Sequence, residues 1–184
     1  MDKIISPFKR HFLKFLKPFK YNLSKCVHST NLYYRDDIRN KEKIAVPDFI
    51  ILSEVHCAES VVGELFRRKF GGPPPYFPHH FVAFYKSSTN GFIPISYVHC
   101  WKKGESYLVG GACSDGRVLR KMSKEERTAL RSTPGVYYFV LRYAFAMLEK
   151  DCIAFFGYCG DTLALKIDLE AGFRKTDKPK LLIY

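Results

Sequence analysis

The sequence has no stretch long and apolar enough to cross a bilayer as a helix, which excludes a membrane-spanning helix from these 184 residues. It also has no paired cysteines. Cys26, Cys57, Cys100, Cys113, Cys152 and Cys159 form no CxxC pair and show no metal-ligand spacing. Several fall in apolar runs, so they read as reduced, mostly buried thiols of a cytoplasmic protein. Acidic residues are scarce, 18 against 30 Lys and Arg, and the net charge is +12. Such an imbalance calls for an anionic partner or surface. No nucleic-acid-binding motif accompanies the charge, so a nucleic-acid-binding protein ranks behind the readings below.

What is present begins with a basic segment. Residues 1–25 carry Lys3, Lys9, Arg10, Lys14, Lys17, Lys20 and Lys25 against Asp2 alone. Phe8, Phe12, Phe15, Phe19 and Leu23 recur at helical spacing. A helix here sets a Phe stripe opposite a Lys face, although Pro18 breaks or kinks it. Two expectations stand side by side: a helix lying on an anionic membrane surface, or one packing its Phe stripe on the domain. An organelle-targeting presequence ranks third, because Arg and Ser are scarce, and lysines in every apolar run argue against a signal peptide. Residues 26–45 are polar and without period, which predicts a linker, so 1–45 form a basic amphipathic extension and linker and the domain spans 46–184.

In the domain, Asp48 to Leu52 reads as the first strand and Ser53 as the cap of a helix with Val55, Ala58, Val61, Val62, Leu65 and Phe66 on its apolar face. Gly71-Gly72-Pro73-Pro74-Pro75 stops that helix. Phe81 to Tyr85, Phe92 to Trp101 and Tyr107 to Ala112 read as strands joined by the turns Thr89-Asn90-Gly91 and Lys103-Gly104-Glu105. Ser123-Lys124-Glu125-Glu126 is a capping box, which predicts a short helix through Arg131.

Residues 131–173 organise the rest. Thr133 and Pro134 suit the cap and first position of a helix. Val136, Phe139, Val140, Tyr143, Ala144, Met147 and Leu148 follow at helical spacing, with Tyr137, Leu141 and Phe145 on the other side, which predicts burial nearly all round. A short apolar run within Asp151 to Gly160, then a helix over Leu163 to Ala171 ended by Gly172, completes a crossover that implies parallel strand pairing. The expected fold is α/β in the broad sense (α+β), a mixed, mostly antiparallel twisted sheet with one helical crossover.

Gly160-Asp161-Thr162-Leu163-Ala164 through Ala171-Gly172-Phe173 resembles the strand, Asn-x-x-Ala helix and Gly-Phe exit of the GCN5-related N-acetyltransferase superfamily. The likeness covers residues 46–184 as an order of elements and the last third as motif. It departs at two places. Arg131-Ser132-Thr133-Pro134-Gly135-Val136 keeps the Arg of the family's phosphate loop but sets Pro and Val where that loop has small residues. Asp168 stands where the family often carries a general-acid tyrosine.

The resemblance implies acetyl-CoA or another acyl-CoA as cofactor and an amine as acceptor. Cofactor contacts fall on Arg127, Arg131, Thr133 and the first-turn groups of Gly135, Val136 and Tyr137, because free amides at a helix start favour an anion. The main chain of Ala112 or Cys113 is the implied oxyanion donor. Tyr158 is the nearest replacement for the acid, with a core tyrosine as its plain alternative, and His99 a candidate base, more often a structural residue. A ligand- or partner-binding protein of the same fold, without catalysis, is the alternative that the two departures favour.

Overall fold

The computed structural model describes residues 45–184. The basic Phe-striped segment and its linker therefore lie outside the described residues. Twelve labels suffice for the sheet and the main helices: β1 (Ile50–Glu54), α1 (Ala58–Phe70), β2 (His79–Ser87), β3 (Gly91–Lys103), β4 (Ser106–Ser114), α2 (Gly116–Leu119), α3 (Lys124–Arg131), α4 (Val136–Leu148), β5 (Ala154–Tyr158), α5 (Thr162–Ala171), and the hairpin β6 (Arg174–Lys175) and β7 (Leu181–Ile183). Among the described residues the strands form one sheet in the order β1-β2-β3-β4-β5-β7-β6. β4 and β5 pair in parallel, and every other neighbouring pair is antiparallel. The mixed sheet expected from the sequence is the sheet observed.

The sheet is covered on both faces. Strand alternation sends Phe81, Ala83, Val98, Cys100, Tyr107 and Val109 into the larger core, where α4 supplies Phe139, Val140, Leu141, Ala144 and Phe145. Val82, Tyr97 and Cys113 point the other way, onto Val62, Leu65 and Phe66 of α1. α4 is less enclosed than its sequence suggests, because Ala146 and Met147 are exposed. Phe145 sits at the centre of an aromatic group, with ring centroids 4.7 Å from Phe155, 5.3 Å from Phe173 and 4.0 Å from Tyr184.

Two helix starts differ from expectation. Ser53 is not a cap: Ser53 and Glu54 stay in β1, paired with Val82 and Phe81, and α1 begins only at Ala58. Strand pairing there outweighs a local cap. Nor does α4 begin at Pro134. Its N-cap is Gly135, at φ 101° and ψ 172°, a backbone that L side chains rarely adopt. The Thr133 hydroxyl is already engaged, donating to the Leu130 carbonyl at 2.7 Å and accepting the Gly135 N–H at 3.2 Å. The expected capping box of α3 is present, with Glu126 N–H donating to Ser123 Oγ at 3.1 Å and Ser123 N–H to Glu126 Oε2 at 2.7 Å. α5 has Asp161 as N-cap and Gly172 in the left-handed region at its end. The β6–β7 hairpin is missed by hydrophobic periodicity, because two- and three-residue strands are too short to show a period.

Candidate functional site at the parting of two strands

β4 and β5 pair from Ser106–Ala154 to Val109–Gly157 and no further, yet β4 continues to Ser114. The cause lies within β4. Its register with β3 runs from His99–Gly110 to Tyr97–Cys113, so Gly111 and Ala112 together oppose Val98 alone. This is a bulge, and Gly111 holds the left-handed conformation at φ 58°. A bulge bends its strand and sharpens the twist, and here it begins two residues past the last β4–β5 pair. Gly110 to Ser114, including the implied oxyanion donors at Ala112 and Cys113, lie beyond that pair.

The bulge needs a glycine for space as well as for torsion. A Cβ on Gly111 would sit 2.1 Å from His99 Cε1 and 3.2 Å from Phe66 Cε2. His99 is fully buried against this spot, with its Nδ1 3.3 Å from the Tyr97 hydroxyl, which lies 2.7 Å from His80 Nδ1. Burial, with the nearby His80, pushes the His99 pKa down to about 3, and burial lowers His80 too. Both rings are therefore neutral near pH 7. Since the folded chain then binds fewer protons than the unfolded chain below the ordinary histidine value of about 6.5, this stabilisation is present above that pH and is lost as pH falls toward 3. Chemical denaturation across that window should show a steeper acid loss in the native chain than in His99→Gln. Equal slopes would assign the loss to carboxylates.

Beside the parting stands the start of α4. No side chain caps it, so the first-turn amides of Val136, Tyr137 and Tyr138 are helix-end donors. The Gly135 N–H is already given to Thr133. The placement follows from Tyr137. Its hydroxyl donates to Asp168 Oδ1 of α5 at 2.8 Å and lies in electrostatic range of Cys159, just after β5, and of Cys100. Cys100 pairs with Val109, which belongs to the last β4–β5 pair. The first turn of α4 is thus tied to α5 through Tyr137, which packs against the same core as Cys100 and Val109.

The remaining expected residues are distributed around this point. Arg127 is half-buried and donates from Nη1 to the Met122 carbonyl at 2.6 Å, while Arg131 is exposed at the end of α3. Cys113 is buried, and burial pushes its thiol up to about 12, so it is not a thiolate at neutral pH. Tyr158, 41% exposed, ends β5 with the Lys180 ammonium 6.0 Å from its ring centroid. Its side chain is two residues on from Phe156, hence on the face opposite Phe155 and Gly157, which pack toward α4 and Phe173.

Two features were not found from the sequence. Asp115 gathers Arg68 (Nη2 to Oδ2, 2.6 Å) and Arg117 (Nη2 to Oδ2, 3.0 Å), and its hydrogen bond with Arg117 holds its carboxyl below the usual range. With Lys69, which acts electrostatically on both Cys113 and Asp161, these cations rim the ends of β4 and β5. The second feature is the Tyr137–Asp168 pair, whose two members lie 31 residues apart. Nothing local to Tyr137 or to Asp168 in the sequence pointed to the second. Among the described residues no group of His, Cys, Asp and Glu is arranged to hold a metal ion, and no helix is long and apolar enough to cross a membrane.

No protein-family model matches the chain, and no curated protein matches it. Solved structures do share its outline. A Pyrococcus horikoshii protein whose acetyltransferase activity is itself inferred aligns at 10% identity and TM-score 0.49, over 74% of this chain and 47% of its own. The ribosomal-protein-S5-alanine acetyltransferase of Vibrio fischeri aligns at 10% identity and TM-score 0.49, over 76% of this chain and 94% of its own. A mutant of the AtaT toxin, bound to the C-terminus of the AtaR antitoxin and to acetyl-CoA, aligns at 8% identity and TM-score 0.40, over 74% and 93%. The chain spans under half the length of the first of these. Likeness at this level assigns no chemistry.

Proposed function

We propose that the domain binds an acyl-CoA where β4 and β5 part and transfers its acyl group to an amine. The observation that carries this reading is the parting itself, which ends strand pairing at Val109–Gly157 beside the uncapped first turn of α4. A helix start favours an anion such as a pyrophosphate, and strand backbone left beyond a pair supplies donors for an acyl oxygen. The sequence resemblance supports the same cofactor. In the reaction the amine nitrogen forms a bond to the thioester carbon and loses a proton. The C–S bond then breaks, its electron pair goes to sulfur, and the thiolate takes up a proton. The main chain near Ala112 or Cys113 would hold the developing oxyanion.

The test is calorimetry of the full chain with CoA and with acetyl-CoA. Binding is expected, and the double substitution Arg127→Ala and Arg131→Ala should weaken it by about 1.5–3 kcal/mol for each charge-assisted bond lost. Since Arg127 also holds the Met122 carbonyl, the thermal midpoint of the variant is recorded alongside. No heat and no thermal shift at millimolar CoA would remove the enzyme reading. The non-catalytic alternative would then hold, in keeping with the Gly135 N–H already engaged and with buried Val136 at the loop.

The basic extension adds a location. Residues 1–25 should hold the full chain on phosphatidylserine-rich vesicles at low salt and release it at high salt, because screening weakens the lysine contribution. Vesicle sedimentation checks this, and a chain left in the supernatant at low salt refutes it. A chain starting near Ala45 should still unfold cooperatively, since all the strands and helices described above lie after that point.

A further inference from the structure

We infer that Pro73-Pro74-Pro75-Tyr76 is a docking segment for a partner protein with a WW-type domain, a small sheet whose aromatic groove takes polyproline ligands. The inference is independent of the acyl-CoA reading. The segment links α1 to β2 and belongs to neither. Proline rings hold φ near −65° at three successive positions, and a following proline disfavours the helical region at Gly72, Pro73 and Pro74. The stretch is therefore biased to polyproline II before any partner arrives, which lowers the ordering cost of binding. Both of its ends are fixed. Gly71, in the left-handed region at φ 74°, closes α1 by donating its N–H to the Arg67 carbonyl at 2.8 Å. Phe77 lays its ring along Trp101, 5.6 Å between centroids and 12° from parallel, and 4.8 Å from His99. The Phe77 N–H donates to the Pro75 carbonyl at 3.1 Å, which closes a three-residue turn with Tyr76 at its centre. Phe77 is thereby held on the sheet, while Tyr76 is 104% exposed.

A lone exposed aromatic residue means little. Here it comes with its spacing. Polyproline II has three residues per turn, so Pro73 and Tyr76 share a side. Both are exposed, while Pro74 and Pro75 are half-buried. A proline and a tyrosine three residues apart on one side suit a WW groove that reads tyrosine, with the proline between two aromatic rings and the tyrosine in the neighbouring pocket. An SH3-type groove reads two prolines at that spacing instead. In this segment those are Pro75 and Pro78, and Phe77 between them is engaged with Trp101. Lys69, exposed just before the glycines, sets a positive charge on the approach, which an acidic rim on the partner's groove complements.

The test is titration of the full chain into a ¹⁵N-labelled WW domain that binds a synthetic Pro-Pro-x-Tyr peptide. Saturable shifts of the groove amides are expected, and the same peptide should displace the chain. Tyr76→Ala and Pro73→Ala should each weaken binding about tenfold or more, as loss of an anchor does. Pro75→Ala, at the position the groove does not read, and Pro78→Ala should stay within about twofold of the native chain. Because Tyr76 is wholly exposed, Tyr76→Ala should keep the native thermal midpoint, which separates lost docking from lost folding. Groove amides that do not move with the native chain, while the peptide moves them, overturn the inference. Native affinity in Tyr76→Ala overturns it too. So does binding to a labelled SH3 domain in place of the WW domain, lost in Pro75→Ala and Pro78→Ala.

Discussion

Gly111→Ala should be among the most damaging single substitutions in the domain, lowering stability by about 2–5 kcal/mol. The two parts of that figure are independent. A left-handed backbone costs an L side chain about 1–2 kcal/mol, and forcing a methyl into filled space costs about 1–3 kcal/mol more. The methyl would meet His99 at 2.1 Å. His99 has little freedom to withdraw, because its ring lies 4.8 Å from Phe77 and 6.4 Å from Phe66, centroid to centroid. Relief would have to come from β4, by straightening the bulge. The substitution therefore couples stability to the site: any CoA affinity should fall with it. Denaturant unfolding read alongside calorimetry checks both. A midpoint shift worth less than about 1 kcal/mol would mean that β4 accommodates an ordinary strand residue there, and that the bulge does not depend on glycine.

Phe145→Ala should cost about 3–5 kcal/mol, the range for deleting a large buried ring. Phe145 is 1% exposed and stacks on Tyr184 at 4.0 Å with the rings 20° from parallel. Its removal leaves Phe155, Phe173 and Tyr184 facing a cavity that none of them can close from its own strand or strand end. Since Phe145 lies two turns along α4 from Tyr137, the loss should appear in stability first and in ligand binding only through the fraction unfolded. Phe145→Leu, which keeps much of the volume, should recover a large part of it. Equal losses for Ala and Leu would mean that ring geometry rather than filled volume holds this core.

The order of strands through β5, the crossover and the exit at Gly172 were legible because their signals are periodic or local. Alternation marks β2 to β4, and the run from Val136 to Leu148 repeats at helical spacing. The capping box at Ser123 is a four-residue pattern complete in itself. The errors fall where a long-range contact overrules a local preference. Ser53 is a good cap by composition, but β2 lies alongside and recruits it into β1. Thr133 is a good cap too, but Leu130 and Gly135 engage its hydroxyl first. The candidate site is legible in part. Its helix start and its flanking arginines could be named from the sequence, and so could the absence of a tyrosine at position 168. That a tyrosine from α4 comes within 2.8 Å of that same carboxylate could not. Nothing near Tyr137 or near Asp168 in the chain encodes their meeting. It depends on how α4 and α5 are set against one sheet.

The place of β7 has a consequence for how the protein is made. β7 lies between β5 and β6, so the strand that covers the outer edge of β5 is synthesised after α5 and after its own hairpin partner. On a ribosome adding about 5–20 residues each second, the stretch from Tyr158 to Ile183 takes about one to five seconds to appear. Until that stretch docks, the apolar strand Ala154–Tyr158 has one edge paired and one edge bare, and Phe155 lacks its main-chain partner Tyr184. An exposed edge of that kind invites pairing with another nascent chain. Slower docking of residues 181–184 would lengthen the exposure, and the yield of soluble protein should fall with it.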